Sequence, residues 1–330
     1  MKHISLLIPE GDVSFSNLEA TYKMFTKVNE ALQRTGQEPL FQVQLVGLTQ
    51  DARITNGLFS IQPERVVREV SKTNVIIIPA VHGDMPQVIA ANRDFGPWIV
   101  HQHRQGAEVV SLCIGAFILA STGLLSGRSC TTHWLAADKF RKLFPDVHLL
   151  PYKIITDEGG IYTSGGAYSS LNLILYLVEK YAGRNMAIRA SKIFEIDIDR
   201  HSQSPFIIFQ GQKEHHDEAI KKVQEYIEQN FQHKMTVEEL AEMAFLSRRN
   251  FERRFKKATS NTVMEYLQRV KVEAAKLSLE TSQDNVNEVM YSVGYSDTKA
   301  FRATFKKITG ISPLEYRNKY HKAVAEPIMR

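Results

Sequence analysis

Short apolar runs alternate with stretches of helical spacing through the first two hundred residues. Residues 3–8, 41–48, 75–79, 108–112, 152–156 and 161–164 read as strands. Val75-Ile-Ile-Ile78 shows no polar alternation, the mark of a strand buried on both faces of a parallel sheet. Leu18, Tyr22, Phe25 and Val28 recur at helical spacing and predict a helix over 18–34. Residues 86–105, 135–143 and 167–181 read as further helices. Strands alternating with helices predict an α/β domain on a doubly wound parallel sheet, spanning residues 1–195.

Residues 196–216 are polar, with Pro205 and Gly211, and predict a linker. Beyond it the spacing is helical throughout. Ile220, Val223, Tyr226, Ile227 and Phe231 form one stripe. Thr236 suits an N-cap, with Glu239 completing a capping box, and Val237, Leu240, Ala241 and Ala244 carry the next helix. A turn at Phe245-Leu246 and a cap at Ser247 open a basic helix. That helix turns Phe251 and Phe255 inward and presents Arg248, Arg249, Asn250, Glu252, Arg253, Arg254, Lys256 and Lys257 on its other faces. Helix, tight turn and capped basic helix is the helix-turn-helix layout.

The layout occurs twice. Phe251-Glu-Arg-Arg-Phe255-Lys-Lys257 is echoed 50 residues later by Phe301-Arg-Ala-Thr-Phe305-Lys-Lys307. The echo extends to Thr259 with Thr309, Glu265-Tyr266 with Glu315-Tyr316, and upstream to Glu238 with Glu288 and Phe245 with Tyr295. Two copies make a duplicated module, not a solenoid. In the second copy Val286, Val289, Met290 and Val293 line the first helix and Gly294 suits its C-terminal cap. Ser296 or Asp297 caps a helix carrying Thr298, Lys299, Arg302, Lys306 and Lys307. A long helix over 263–279, with Tyr266, Val270, Ala274 and Leu277 on one face, holds the copies apart.

Composition sharpens this picture. A chain of 330 residues suits two or three domains. The net charge of +5 is uneven, with eight basic and two acidic residues between 247 and 271. Phosphate binding requires such a cluster, and a solvated lysine-rich face also produces one. Two cysteines, Cys113 and Cys130, make no disulfide framework. The N-terminal apolar run is too short for a signal peptide, and no run approaches the roughly 20 residues of a membrane span. The chain therefore reads as cytoplasmic. His215-His216 has no second ligand pair at a credible spacing, so neither a metal nor a cofactor is expected.

One local signal stands out in the first half. Val109-Val-Ser-Leu-Cys113-Ile-Gly115-Ala116-Phe117 is a buried strand running through a cysteine into a helix opened by small residues. That pattern fits a nucleophile elbow, and it equally fits a small buried cysteine at a tight turn. The run from Cys113 to Arg128, followed by Thr131-Thr132-His133-Trp134, resembles the class I glutamine amidotransferase-like (PfpI-type) domain, in the branch fused to AraC-type regulators. The resemblance covers roughly residues 1–190 and implies a flavodoxin-like fold. Related enzymes join the cysteine to a histidine and an acidic residue. Here Ile114 stands where many relatives carry His, and Asn17 falls where an acid is common, with Glu19 nearby. A thiol lacking a base and an orienting acid is poorly equipped for hydrolysis. The resemblance therefore implies a degenerate pocket for a small nitrogen-containing metabolite, such as an amino acid or betaine. Cys113, Ile114, His133 and the amides of Gly115 and Ala116 would line it. Gly165-Gly166-Ala167 offers further amides or a plain helix entry.

Residues 217–322 resemble the AraC/XylS-type DNA-binding domain, most specifically in Phe305-Lys-Lys-Ile-Thr-Gly310-Ile-Ser-Pro313-Leu-Glu-Tyr316-Arg317. Ser260 and Val263 depart from the Gly and Pro of the pattern, and Ala303 stands where many relatives have Arg. The resemblance makes Arg249, Asn250, Glu252 and Arg253 candidate base readers. Lys256, Lys257, Lys306 and Lys307 better suit phosphate or solvent. The expected protein is a homodimeric regulator that binds promoter DNA and a small effector and contacts RNA polymerase. The alternatives are a cysteine-dependent amidase with a DNA-binding appendage and an effector-independent DNA-binding protein.

Overall fold

The computed structural model describes residues 1–50, 52–54 (backbone only) and 59–321, so the expected domain end at 322 lies just outside the described residues. The chain divides into two compact units at Gln203/Ser204. In the first, a seven-stranded sheet is built from β1 (Lys2–Ile8), β2 (Phe41–Gly47), β3 (Arg65–Val66), β4 (Val75–Ile78), β5 (Glu108–Ser111), β6 (Ile155–Asp157) and β7 (Ile161–Ser164). Its order is β6-β7-β5-β4-β1-β2-β3, parallel throughout except for antiparallel β6 on β7. All four residues of β4 are buried, as their unbroken apolar run requires.

The helices of this unit are α1 (Phe15–Gln33), α2 (Met85–Ala91), α3 (Phe95–Arg104), α4 (Ala116–Ser121), α5 (Ala137–Leu143), α6 (Ser170–Ala182) and α7 (Arg184–Ile193). The single helix expected over 86–105 is two. Asn92 divides it: the buried amide donates to the carbonyls of Glu10 and Val88 and accepts the Glu10 N–H at 2.7 Å. A short polar side chain bonding backbone competes with the helical ladder. Helix α7 has no counterpart in the sequence pattern, because its buried face is made only of Ala187, Ala190 and Ser191.

The second unit is all-α: α8 (Glu218–Asn230), α9 (Val237–Met243), α10 (Arg248–Thr259), α11 (Val263–Thr281), α12 (Val286–Ser292), α13 (Thr298–Thr309) and α14 (Pro313–Tyr320). It has two apolar cores, one per copy of the repeat, and α11 serves both. Tyr266, Leu267 and Val270 enter the first core; Val272, Ala275 and Leu279 enter the second. The buried stripe therefore rotates along the helix, and Leu277, expected on it, is 62% exposed. Phe251, Phe255, Phe301 and Phe305 are fully buried.

The 50-residue echo holds in burial as in sequence: residues 251–260 and 301–310 follow the same pattern of buried and exposed positions. Upstream, the expected pairing shifts by one. The capping boxes are Thr236 with Glu239 and Asn285 with Glu288. Glu239 is therefore the structural counterpart of Glu288. The left-handed turn residue is Phe245 in the first copy and Gly294 in the second. The second turn is one residue longer, and Asp297 caps α13 by accepting the Ala300 N–H. Ser247 occupies the N-cap position of α10, but its side chain makes no capping bond.

The polar stretch expected as a linker is ordered on both sides of the boundary. Ile154 N–H donates to the carbonyl of His201, and Asn172 Nδ2 donates to that of Asp197. On the other side Lys276 Nζ donates to the Ile207 carbonyl at 2.6 Å, and the Phe209 ring meets Tyr266 edge-on. Polar composition here encodes specific backbone bonds.

Candidate nucleic-acid interface and cysteine elbow

Strand β5 runs through Leu112 to Cys113, whose φ is +55°. A non-glycine residue in this conformation at a strand-to-helix turn is the nucleophile-elbow geometry. Gly115 wedges the elbow beneath β4: a Cβ there would lie 2.6 Å from the carbonyl oxygens of both Ile78 and Pro79. The Cys113 N–H donates to Ser164 Oγ at 3.1 Å, and the Cys113 carbonyl accepts from Thr132 Oγ1 at 2.9 Å. Ile114 packs against the core.

The amides of Gly115 and Ala116, expected to line a pocket, are spent inside the turn. Gly115 N–H donates to the Leu112 carbonyl, and Ala116 N–H to the carbonyls of Cys113 and Ile114. The amides that face the sulfur belong to Ala167 and Ile114. Ala167 itself has a φ of +50°. Burial pushes the Cys113 thiol pKa up, and these two amides oppose the shift.

Among the described residues neither an acid nor a base engages the thiol. Asn17 is buried; its Oδ1 accepts the Ala80 N–H and its Nδ2 donates to Ser170 Oγ, both at 3.2 Å. Glu19 lies on the exposed side of α1, paired with Lys23 at 3.2 Å. His133 makes no hydrogen bond to Cys113; its Nδ1 accepts the Leu135 N–H at 3.1 Å. Burial, then the nearby His82, holds the His133 pKa below the usual histidine value.

Gly165 and Gly166 are bare for a reason. A Cβ on Gly166 would lie 2.0 Å from the His133 ring, and one on Gly165 would lie 2.8 Å from the Gln203 amide carbon. Gln203 is 2% exposed. Its Oε1 accepts the Gly166 N–H at 3.2 Å, and its Nε2 donates to the carbonyls of Thr132 at 2.8 Å and Lys153 at 3.0 Å. The last residue of the first unit thus ties together the two loops beside the elbow. Sequence reasoning missed Gln203; the paired glycines were the signal that something packs on them.

In the second unit Arg248, Arg249, Glu252, Arg253, Lys256 and Lys257 are exposed on α10, with Asn250 partly so. Arg253 Nη2 donates to Asn250 Oδ1 at 2.8 Å, which joins two candidate base readers on one face. Arg248 pairs with Glu238 and approaches Glu252 at 3.5 Å. Arg254, expected on the outward set, is instead a staple: it holds Asp217, the N-cap of α8, through two hydrogen bonds of 2.8 and 2.7 Å. Those bonds hold the Asp217 carboxyl below the usual aspartate range. On α13 Lys299, Arg302, Ala303, Lys306 and Lys307 are exposed and Thr298 is partly so.

A model of the DJ-1/PfpI family matches residues 16–180, half of the chain. The chain belongs to the DJ-1/PfpI family. Within it, the α/β unit is joined to an AraC-type helix-turn-helix region, which a helix-turn-helix domain model matches over residues 240–319. HTH-type transcriptional regulator GbdR of Pseudomonas aeruginosa is 24% identical over 232 residues, 69% of this chain and 62% of that protein. The match thus spans a little under two thirds of that regulator's length. Isonitrile hydratase of Pseudomonas putida is 24% identical over 147 residues, 44% of this chain and 60% of the enzyme. The chain is thus similar both to a protein named as a transcriptional regulator and to one named as an enzyme. A crystal structure from Vibrio parahaemolyticus, described as a candidate transcriptional regulator, superposes with a TM-score of 0.52 at 23% identity. It covers 58% of this chain and 98% of its own, and it bears out the α/β fold. No helix among the described residues is long and apolar enough to cross a membrane.

Proposed function

We propose that the chain is a sequence-specific DNA-binding transcription regulator whose α/β unit binds a small nitrogen-containing metabolite. The carrying observation is the pair α10 and α13. Both sit in the second position of a helix-turn-helix, bury matching phenylalanines and turn basic side chains to solvent. On this reading Arg249, Asn250, Glu252 and Arg253 contact base edges, and Thr298, Lys299 and Arg302 do so more sparsely. Arg248 positions the helix, and Lys256, Lys257, Lys306 and Lys307 meet phosphates. The protein acts in the cytoplasm as a homodimer on promoter DNA and touches RNA polymerase. Its domains are the sensor, residues 1–195, and the DNA-binding region, 217–322. The 24% identity to a named transcriptional regulator supports the reading.

Arg253→Ala tests it. Specific binding should fall by about tenfold, with non-specific binding much less affected. Equal losses on both DNAs would move Arg253 to the phosphate class. Lys256→Ala/Lys257→Ala should lower the slope of log affinity against log salt by about two; an unchanged slope would contradict phosphate contact.

We read the α/β unit as a sensor and not a catalyst, because burial raises the Cys113 thiol pKa and no base among the described residues is hydrogen-bonded to it. The second reading is a cysteine-dependent hydrolase, favoured by the Ile114 and Ala167 amides at the sulfur. Cys113→Ala separates them: loss of a measurable hydrolysis supports the enzyme, and unchanged promoter binding with an intact metabolite response supports the sensor.

A further inference from the structure

Phe245 breaks two rules at once. It is 96% exposed, whereas Phe251 and Phe255 on the following helix are fully buried. Its φ is +55°, a conformation in which a bulky residue is a genuine outlier. The equivalent turn residue of the second copy is Gly294, with a φ of +76°. There a Cβ would lie 2.2 Å from the Gln232 carbonyl oxygen, so no side chain fits. The first turn is open, and the position holds one of the largest apolar side chains. Folding gives no reason for this, since glycine would remove both the strain and the exposed ring.

The turn is firmly set. Phe245 N–H donates to the Glu242 carbonyl at 2.9 Å, and Leu246 N–H to the Ala241 carbonyl at 3.0 Å. Leu246 packs against the first core, so the ring of its neighbour is held outward. Phe245 stands two residues before Ser247, the N-cap of α10. In a helix-turn-helix the N-terminal end of the second helix is the end that meets base edges. The ring is therefore within side-chain reach of the groove that Arg248, Arg249 and Asn250 would enter. Among base edges, the 5-methyl group of thymine is the apolar feature of the major groove.

We propose that Phe245 is a specificity-determining DNA contact that packs its ring on the 5-methyl group of a thymine beside the bases read by α10. This rests on the DNA-binding reading above. The test uses the full-length protein and a duplex it selects from a randomised library. Each thymine of that duplex is then replaced singly by deoxyuridine, which deletes only the methyl group. At one thymine the unmodified protein should lose about fourfold in affinity, the size of one buried methyl. Phe245→Gly should bind the thymine and deoxyuridine duplexes equally there, and it should unfold at a higher temperature than the unmodified protein. Phe245→Asn, which also tolerates the left-handed conformation, should show the same indifference. If both variants respond to every replacement as the unmodified protein does, the ring reads no methyl group. If they keep that response but lose self-association, the ring's partner is a second copy and the proposal falls. Failure to enrich any duplex would overturn the DNA-binding reading itself, and this inference with it.

Discussion

The His133 ring lies on the bare backbone of Gly166, accepts the Leu135 N–H and is held below the usual histidine pKa by burial and by His82. The folded state thus favours the neutral ring. The stability this supplies is present above the unfolded value, about pH 6.5, and is lost as pH falls below it toward the lower folded value. Both tryptophans, Trp98 and Trp134, lie in the first unit, so tryptophan fluorescence reports its unfolding. Its melting temperature should drop between pH 7.5 and 5.5, and His133→Gln should flatten that limb. An unflattened limb would place the sensitivity elsewhere. The sequence made Cys113 visible because an elbow needs a recognisable order of strand, cysteine and small residues, and His133 visible only through the resemblance of the Thr131-Thr132-His133-Trp134 run. It did not reveal the Ala167 amide, since nothing in an alanine announces a φ of +50°. Nor did it show that the amides of Gly115 and Ala116 are consumed by the turn.

The two helix-turn-helix elements share a framework but differ in how freely their backbones bend. At both left-handed positions the second copy has glycine, Gly294 and Gly310, where the first has Phe245 and Ser260. Left-handed backbone costs a non-glycine residue about 1 kcal/mol. Ser260, the C-terminal cap of α10, is a polar exposed residue whose side chain has no partner to lose among the described residues. Ser260→Gly should therefore stabilise the second unit by about 0.5–1 kcal/mol. Gly294→Ala should destabilise it by more than that, because a backbone carbonyl cannot yield to a Cβ 2.2 Å away. Circular dichroism at 222 nm during urea unfolding measures both. An unstable Ser260→Gly variant would mean the serine hydroxyl holds the cap. Helix periodicity made these elements legible, down to the inward phenylalanines. The one-residue offset of the turns was hidden because Glu238 and Glu239 are adjacent, and either can be paired with Glu288 by letter alone. The face of α11 was misjudged at Leu277 for a related reason: a helix serving two cores has no single apolar stripe.

For the whole chain, the question is what the first unit offers to whatever follows it. Its final residue, Gln203, is buried and bonded to the loops of Thr132 and Gly166. Thr132 in turn holds the Cys113 carbonyl, and Gly166 precedes the Ala167 amide at the sulfur. A change at the elbow is therefore two hydrogen bonds away from the segment that leaves the unit. Such a contact couples two sites only if the segment has a second, released arrangement within reach. Gln203→Ala strips the backbone groups of Gly166, Thr132 and Lys153 of their shared partner, at a cost of about 1–3 kcal/mol. The loss should appear as local opening and not as global unfolding, because the apolar core of the unit is untouched. Arg200, three residues earlier, supplies a trypsin site in the same segment. Tryptic nicking there should accelerate by about tenfold in Gln203→Ala, while the tryptophan-reported melting temperature moves by only a few degrees. An unchanged nicking rate would mean that the bonds from Ile154 and Asn172 hold the segment without Gln203, and that the elbow has no mechanical connection to the residues beyond it.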